Sequence, residues 1–326
     1  MGTANVTGIT VSCNAQYSIE GAVSGLAAGN AVGLLDNGSD HVTVSANGIF
    51  TFPTQLASGA PYAVSVGTQP LHQACTVTNG TGTVGTTNVT NVTVPCSPGP
   101  VLALVANAAS KNVSVYSIDA TTGVLTPVAG SPFAAGSYPS SVTVNPAGTL
   151  ALVANAGSNN VSVYSIDATT GALTQVTGSP FTAGYFPHSV TVNPAGTLAF
   201  VANHGDGTVS VYSIDATTGA LNQVTGSPFT AGTNPISVTV NPAGTLAFVA
   251  NYGSNNVSVY SIDATTGALN QVAGSPFAAG VGPYSVTVNP AGTLAFVANA
   301  GGGVSVYSID ATTGALNQGK RPAIPS

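Results

Sequence analysis

Apolar residues in this chain fall into runs of four to six, each cut short by Asn, Gly, Pro or Thr. From residue 100 onward the runs recur with one spelling. Val-Ser-Val-Tyr-Ser-Ile-Asp-Ala-Thr-Thr-Gly occurs five times, placing Asp119, Asp167, Asp215, Asp263 and Asp310 at intervals of 48, 48, 48 and 47 residues. A period of this length, filled with short β-branched runs and turn signals, predicts a blade-by-blade β architecture. Helices are a poor fit, because the runs are too short and too often broken by Gly and Pro.

One unit reads as four strands. In the third copy, strand A is Ser189-Val190-Thr191-Val192 and Asn193-Pro194-Ala195-Gly196 turns into strand B, residues 197–202. A polar turn leads to strand C, 209–214, and Asp215-Ala216-Thr217-Thr218-Gly219 turns into strand D, 220–224. Strand B is apolar on both faces, as expected of a sheet packed between neighbouring sheets. The blades fall near 101–129, 141–177, 189–225, 237–273 and 285–318. Strand A occurs four times and strands B and C five times, so the first blade is incomplete and the ring closes one strand short or stays an open arc.

Ahead of the Pro98-Gly99-Pro100 hinge, residues 5–13 and 88–96 echo each other at a spacing of 83 residues. The chain is therefore expected to open on a remnant strand (1–13) of a preceding module, followed by a β-sandwich over 14–97 and the propeller over 98–326. His41–Ser45 and Ile49–Phe52, flanking Ala46-Asn47-Gly48, predict one hairpin. Cys75–Thr78 and Thr81–Val84, flanking Asn79-Gly80, predict another.

The repeated Ser-Val-Thr-Val-Asn-Pro-Ala-Gly-Thr-Leu-Ala-Phe-Val-Ala-Asn, the Asn-Asn-Val-Ser-Val-Tyr-Ser-Ile-Asp stretch and Gly-Ser-Pro-Phe resemble the lactonase-like β-propellers, relatives of the Tyr-Val-Thr-Asn repeat proteins. The resemblance covers about 100–318 and implies a ring of seven blades, from which five repeats depart. Residues 73–80 and the Thr-Val-Pro-Cys96 ending resemble the immunoglobulin-like modules of bacterial secreted and surface proteins. Within such a module Cys75 and Cys96 are expected to form a disulfide, leaving Cys13, the counterpart of Cys96, unpaired; three reduced thiols are the alternative.

Charged residues are only 4% of the chain, the formal net charge is −6, and the basic residues are Lys111, Lys320 and Arg321. Phosphate tracking along a nucleic acid needs several cations on one face, so nucleic acid is excluded as a partner. No apolar stretch approaches the roughly 20 residues of a spanning helix, so membrane insertion is not expected. No signal peptide is visible, and an extracellular, cell-surface or periplasmic location is expected for a chain with such modules.

The A–B and C–D turns fall on one face of each blade and barely vary; the repeated aspartates read as turn-holding acceptors. The B–C and D–A connections fall on the other face, where the copies differ. There stand Tyr138, Tyr185, Phe186, His188, Asn234 and Tyr284 before or at strand A, and His204 and Tyr252 after strand B. These eight form the candidate ligand-binding set, with neutral drift in exposed loops as the alternative. His188, His204 and Asp206 could begin a metal site, but no third imidazole is at hand, and neither metal nor cofactor is expected.

The resemblance implies lactone opening, including phosphorylated sugar lactones. Hydrolysis needs a general base and an anionic substrate needs cations, whereas residues 100–318 hold no Glu, no Arg and one Lys. The function expected from sequence is therefore a secreted or surface propeller binding a glycan or protein without catalysis. The alternative is a lactonase-type hydrolase, 6-phosphogluconolactonase-like, using His188, His204 and Asp206.

Overall fold

The computed structural model describes residues 15–71 and 73–318. Residues 1–13 with Cys13, His72 and the tail after Gln318 lie outside that range. The chain divides into two compact units, Met1–Gly99 and Pro100–Ser326.

In the first unit two four-stranded sheets enclose one core. Ile19–Ser24 pairs with Gly48–Thr51 on one side and, in parallel, with Val89–Pro98 on the other, which also takes Gln73–Cys75. The facing sheet runs Asp40–Val44, Val32–Asp36, Pro61–Thr68, Thr81–Thr83. Ile19, Val23, Val92 and Val94 from the first sheet meet Val32, Leu34 and Val64 from the second.

Neither expected hairpin forms. Asp40–Val44 and Gly48–Thr51 lie in opposite sheets, as do Gln73–Cys75 and Thr81–Thr83. The Asn47 side chain is spent bridging the backbone N–H and carbonyl of Leu26, at 2.8 and 2.9 Å, which turns the Asn-Gly pair into a crossing between sheets. Asn79 does the same at the second crossing, with its amide on the Asn91 carbonyl. Cys75 and Cys96 are cross-strand partners and are joined by a disulfide.

Among the described residues the second unit forms five repeat sheets. In the third, strand A (Pro187–Val192), B (Leu198–Asn203), C (Thr208–Ile214) and D (Leu221–Gln223) pair in order, and Phe229–Thr230 returns to pair with the start of C. The first sheet begins directly at B (Leu102–Asn107), without an A strand. Ala199 and Val201 of strand B pack on the preceding blade, and Phe200 and Ala202 on the following one. All four are completely buried, which is why this strand alternates between no polar positions. Blades are further tied by the strand C tyrosine, whose hydroxyl donates to a carbonyl of the blade before, Tyr212 to Thr182 at 2.7 Å.

Invariant turns carry the scaffold. Asp215 Oδ1 accepts the Thr217 and Thr218 amides at 3.0 and 2.7 Å and the Thr218 hydroxyl at 2.9 Å. Chiefly the Thr218 amide holds this carboxyl below its ordinary range, and four sister turns repeat the arrangement. Asn193 Oδ1 likewise accepts the Thr197 and Leu198 amides, both at 2.9 Å.

The turn carboxylates and the disulfide are each testable. A depressed folded-state carboxyl pKa stabilises fully at neutral pH, and that stabilisation is lost as pH falls through the ordinary carboxylate value near ~4 and below; melting temperature is expected to fall on acidification over that range, less so with Asp215→Asn. Thiol titration of unreduced, unfolded chain is expected to find one free thiol out of three cysteines. Replacing Cys75 and Cys96 by Ala is expected to lower the first unit's stability by about 3 kcal/mol, measured by denaturant unfolding.

Candidate functional site

The variable positions gather at one end of the repeat sheets, where strands A begin and strands B end, here called the mouth, and three local devices put them there. The first is a clamp. Asn203, the last residue of strand B, is completely buried; its Oδ1 accepts the Gly184 amide at 3.2 Å, and its Nδ2 donates to Thr208 Oγ1 and Ser210 Oγ at 3.0 and 2.8 Å. Asn155 and Asn251 repeat this, fixing where each D–A connection leaves the blade.

The second device is a backbone pair joining the two variable loops. His204 N–H donates to the Phe186 carbonyl and Gly205 N–H to that of Tyr185, each at 3.0 Å; Tyr252 and Asn234 pair in the same way. The accepting residue is left-handed in every copy: Tyr138 (φ 54°), Phe186 (56°), Asn234 (53°) and Gly282 (63°). Gly and Asn suit that conformation; Tyr and Phe are strained in it, and strain of this kind gathers at functional sites.

The third device is a bulge. Register shifts between Pro187 and Ser189, leaving His188 without a cross-strand partner, and the equivalent residues elsewhere are Ser140, Ile236 and Tyr284. Such an extra residue re-aims its side chain. Strands A of successive blades touch one another, so the bulged residues converge.

The result is a continuous band of rings. Tyr138 lies 6.2 Å from Phe186, Phe186 is 6.5 Å from Tyr185 and 5.7 Å from His204, and His204 is 6.1 Å from His188. His188 then meets the edge of Tyr284 at 6.4 Å, and Tyr284 meets Tyr252 at 6.4 Å. Residues 188 and 284 stand two blades apart, so this contact crosses the converging inner strands. Asn234 joins through its side chain, donating to the His204 carbonyl at 3.3 Å. All eight candidate residues are thus brought together, with four exposed tyrosines around two partly buried imidazoles.

The histidines are electrostatically distinct from surface histidines. Desolvation pulls His188 below the usual imidazole value, and the neighbouring His204 adds to this; the Ile236 carbonyl opposes it. Desolvation likewise lowers His204. His188 Nδ1 lies 3.1 Å from the Ile236 carbonyl oxygen. A carbonyl can only accept, so Nδ1 carries the proton and Nε2 of the neutral ring keeps its lone pair. That is a fixed tautomer with a basic nitrogen at the mouth.

Asp206 does not join them. Its carboxylate accepts the Tyr185 amide and serves the loop. No group of three His, Cys, Asp or Glu residues suited to a metal ion occurs among the described residues. A shallow hollow in the first unit, lined by Asp36, Asp40 and Thr54 among others, has both carboxylates engaged by the Ala63 and Thr54 amides.

One neighbour of these loops stands outside the eight candidates. Lys111 occupies the B–C turn position held elsewhere by Asn159, Gly207 and Asn255, also with positive φ (56°). Asn159 and Asn255 accept the amides of Phe186 and Gly282, a bond that a lysine cannot make to Tyr138. Aligning the copies on their strand C would have revealed it.

The family of seven-bladed lactonase β-propellers matches over residues 128–237, 189–281 and 227–325. The chain belongs to that family. No curated protein matches it. Among solved structures it is similar to a candidate 6-phosphogluconolactonase from Bacteroides uniformis, with TM-score 0.61, 16% identity, and 89% of this chain and 95% of that one covered. A periplasmic gluconolactonase from Pseudomonas aeruginosa gives TM-score 0.56 at 16% identity, over 89% and 95% of the two chains. A Lactobacillus plantarum protein gives 0.58 at 20%, with the same coverage. At such identities the likeness is one of fold.

The strain at the mouth is testable. Tyr138→Asn installs the residue that the fourth copy uses at this angle, Asn234, and is expected to stabilise the repeat unit by about 1 kcal/mol in denaturant unfolding. A loss of stability would mean that the ring contact with Phe186 outweighs the strain.

Proposed function

We propose that the propeller mouth opens the ring of an uncharged sugar lactone, with His188 as general base. Family membership supports lactone chemistry over the non-catalytic glycan or protein binding favoured by composition alone. The observation that carries the reading is the His188 ring, held by the Ile236 carbonyl in the tautomer that leaves Nε2 basic.

In this reading the substrate ring lies against the exposed tyrosine faces, which offer apolar surface to its C–H groups. His188 Nε2 takes a proton from water as the water oxygen bonds to the lactone carbonyl carbon. The Tyr284 hydroxyl donates to the oxyanion that forms. The ring C–O bond then breaks, and the imidazolium returns its proton to the departing oxygen, leaving a hydroxy acid. His204 packs beside His188, its ring 6.1 Å away.

Charge selects the substrate. Lys111 stands at one rim and residues 100–318 hold no arginine, whereas a phosphoryl group calls for several cations or a bidentate arginine. Unphosphorylated lactones fit better than phosphorylated ones. The first unit reads as an immunoglobulin-like module, on the strength of its two-sheet sandwich and its bridge. A disulfide belongs to oxidising compartments, which supports an extracellular or periplasmic location.

Ring opening of neutral aldonolactones, followed by acid release, is expected to exceed that of the 6-phospho forms in kcat/KM. His188→Ala is expected to lower kcat by about a hundredfold or more. The base works deprotonated and burial lowers its pKa, so the rate should fall only as pH drops below the usual imidazole value near ~6.5. A panel of lactones left intact would retire this reading in favour of binding, which a glycan array would then address.

A further inference from the structure

The band of rings is longer than one sugar needs. His188 meets His204 at 6.1 Å and Tyr284 at 6.4 Å, so a lactone seated on His188 covers these immediate neighbours. Phe186 stands one step beyond His204, at 5.7 Å, and Tyr138 a further step beyond Phe186, at 6.2 Å. Tyr138 and Tyr185 are nonetheless 52% and 60% exposed.

Strain and tilt both single out the Tyr138 side of the band. Tyr138 and Phe186 hold left-handed φ of 54° and 56°, where the other copies place Asn234 and Gly282, residues suited to that angle. The frame does not require either ring, because the same backbone pair forms with Asn234 and Gly282 in their place. Strain that the frame does not need belongs with function. The Tyr138 and Phe186 planes are also the nearest to parallel in the band, 34° apart. On the other side Tyr284 meets His188 and Tyr252 edge-on, at 84° and 83°. Near-parallel rings continue a platform, and edge-on rings break it.

We propose that this side of the band is a row of subsites for an oligosaccharide whose terminal lactone lies at His188. Further units of the chain lie on Phe186 and then on Tyr138, with Tyr185 flanking the row 6.5 Å from Phe186. The inference rests on the lactone-opening reading and narrows its substrate from a single sugar to the oxidised end of a neutral glycan. Each ring-to-ring step is close to the advance of a glycan by one pyranose unit. The C–H faces of successive units stack on the rings while their hydroxyls stay in water.

Kinetics on the full chain with gluconolactone and the lactones of cellobionic and cellotrionic acids, the malto series alongside, are expected to show kcat/KM rising with each added unit. The rise should be about tenfold per unit and lie chiefly in KM. Tyr138→Asn keeps the backbone angle, as Asn234 does, and should lower kcat/KM about tenfold more on the longest lactone than on gluconolactone. Tyr138→Gly, on the pattern of Gly282, replaces it if melting is lowered. Calorimetry with the reduced sugars cellobiitol and cellotriitol, and their malto counterparts, separates binding from turnover. The longer alditol is expected to bind more tightly, and Tyr138→Asn to abolish that gain. Gluconolactone opened as efficiently as the longer lactones of both series would overturn the subsites and leave lactone opening standing. Lactones left intact by a chain that still prefers the longer alditol through Tyr138 would retire ring opening alone. Binding that does not grow with length in either series would overturn the proposal.

Discussion

The repeat depends on one buried amide. At the end of strand B, where the chain leaves the sheet, Asn155, Asn203 and Asn251 are completely buried and fully hydrogen-bonded. Each binds strand C through its Nδ2 and the incoming loop through its Oδ1, so one side chain sets the distance between scaffold and mouth. The loop residue is a glycine because a Cβ at Gly184 would lie 2.6 Å from Asn203 Cγ. The fifth copy shows what a single missing residue does. Its shortened B–C turn lets the Gly280 amide go to Ser305 instead, and Asn299 Oδ1 is buried without a partner.

Once the frame is fixed, variation gathers at a few positions in the connecting loops. The left-handed residue and the bulge after it stand at fixed points in each of the four blades that have a strand A, so a change of residue type changes the mouth without disturbing the sheet. Tyr, Phe, Asn and Gly at the first point and Ser, His, Ile and Tyr at the second give four blades four different contributions. The His188 tautomer depends on this arrangement, because the carbonyl that holds it belongs to the next blade's bulge.

Much of this was legible in the residues. The 48-residue spacing predicted the repeated sheets and their strand order, and Asp215 holds its turn as its position implied. Other features were hidden because they depend on pairing partners far away in the chain. Asn47-Gly48 and Asn79-Gly80 look like hairpin turns locally, and only the distant partners Leu26 and Asn91 make them crossings. The bulge at His188 has no spelling of its own, since it exists only as a mismatch with strand B. Asp206 lay close to His204 in sequence, yet a backbone amide claimed its carboxylate first.

Near-identity of the copies has a consequence during synthesis. Strand A of any copy would fit strand B of any other, and the faces that blades show one another barely differ in their residues. A nascent chain that skips or swaps a unit gives up little packing energy, so mispaired assemblies compete with the ordered one. What discriminates against them is the short connection between successive units, which closes its loop first. Order along the ribosome's product, more than chemistry between surfaces, keeps the units in turn.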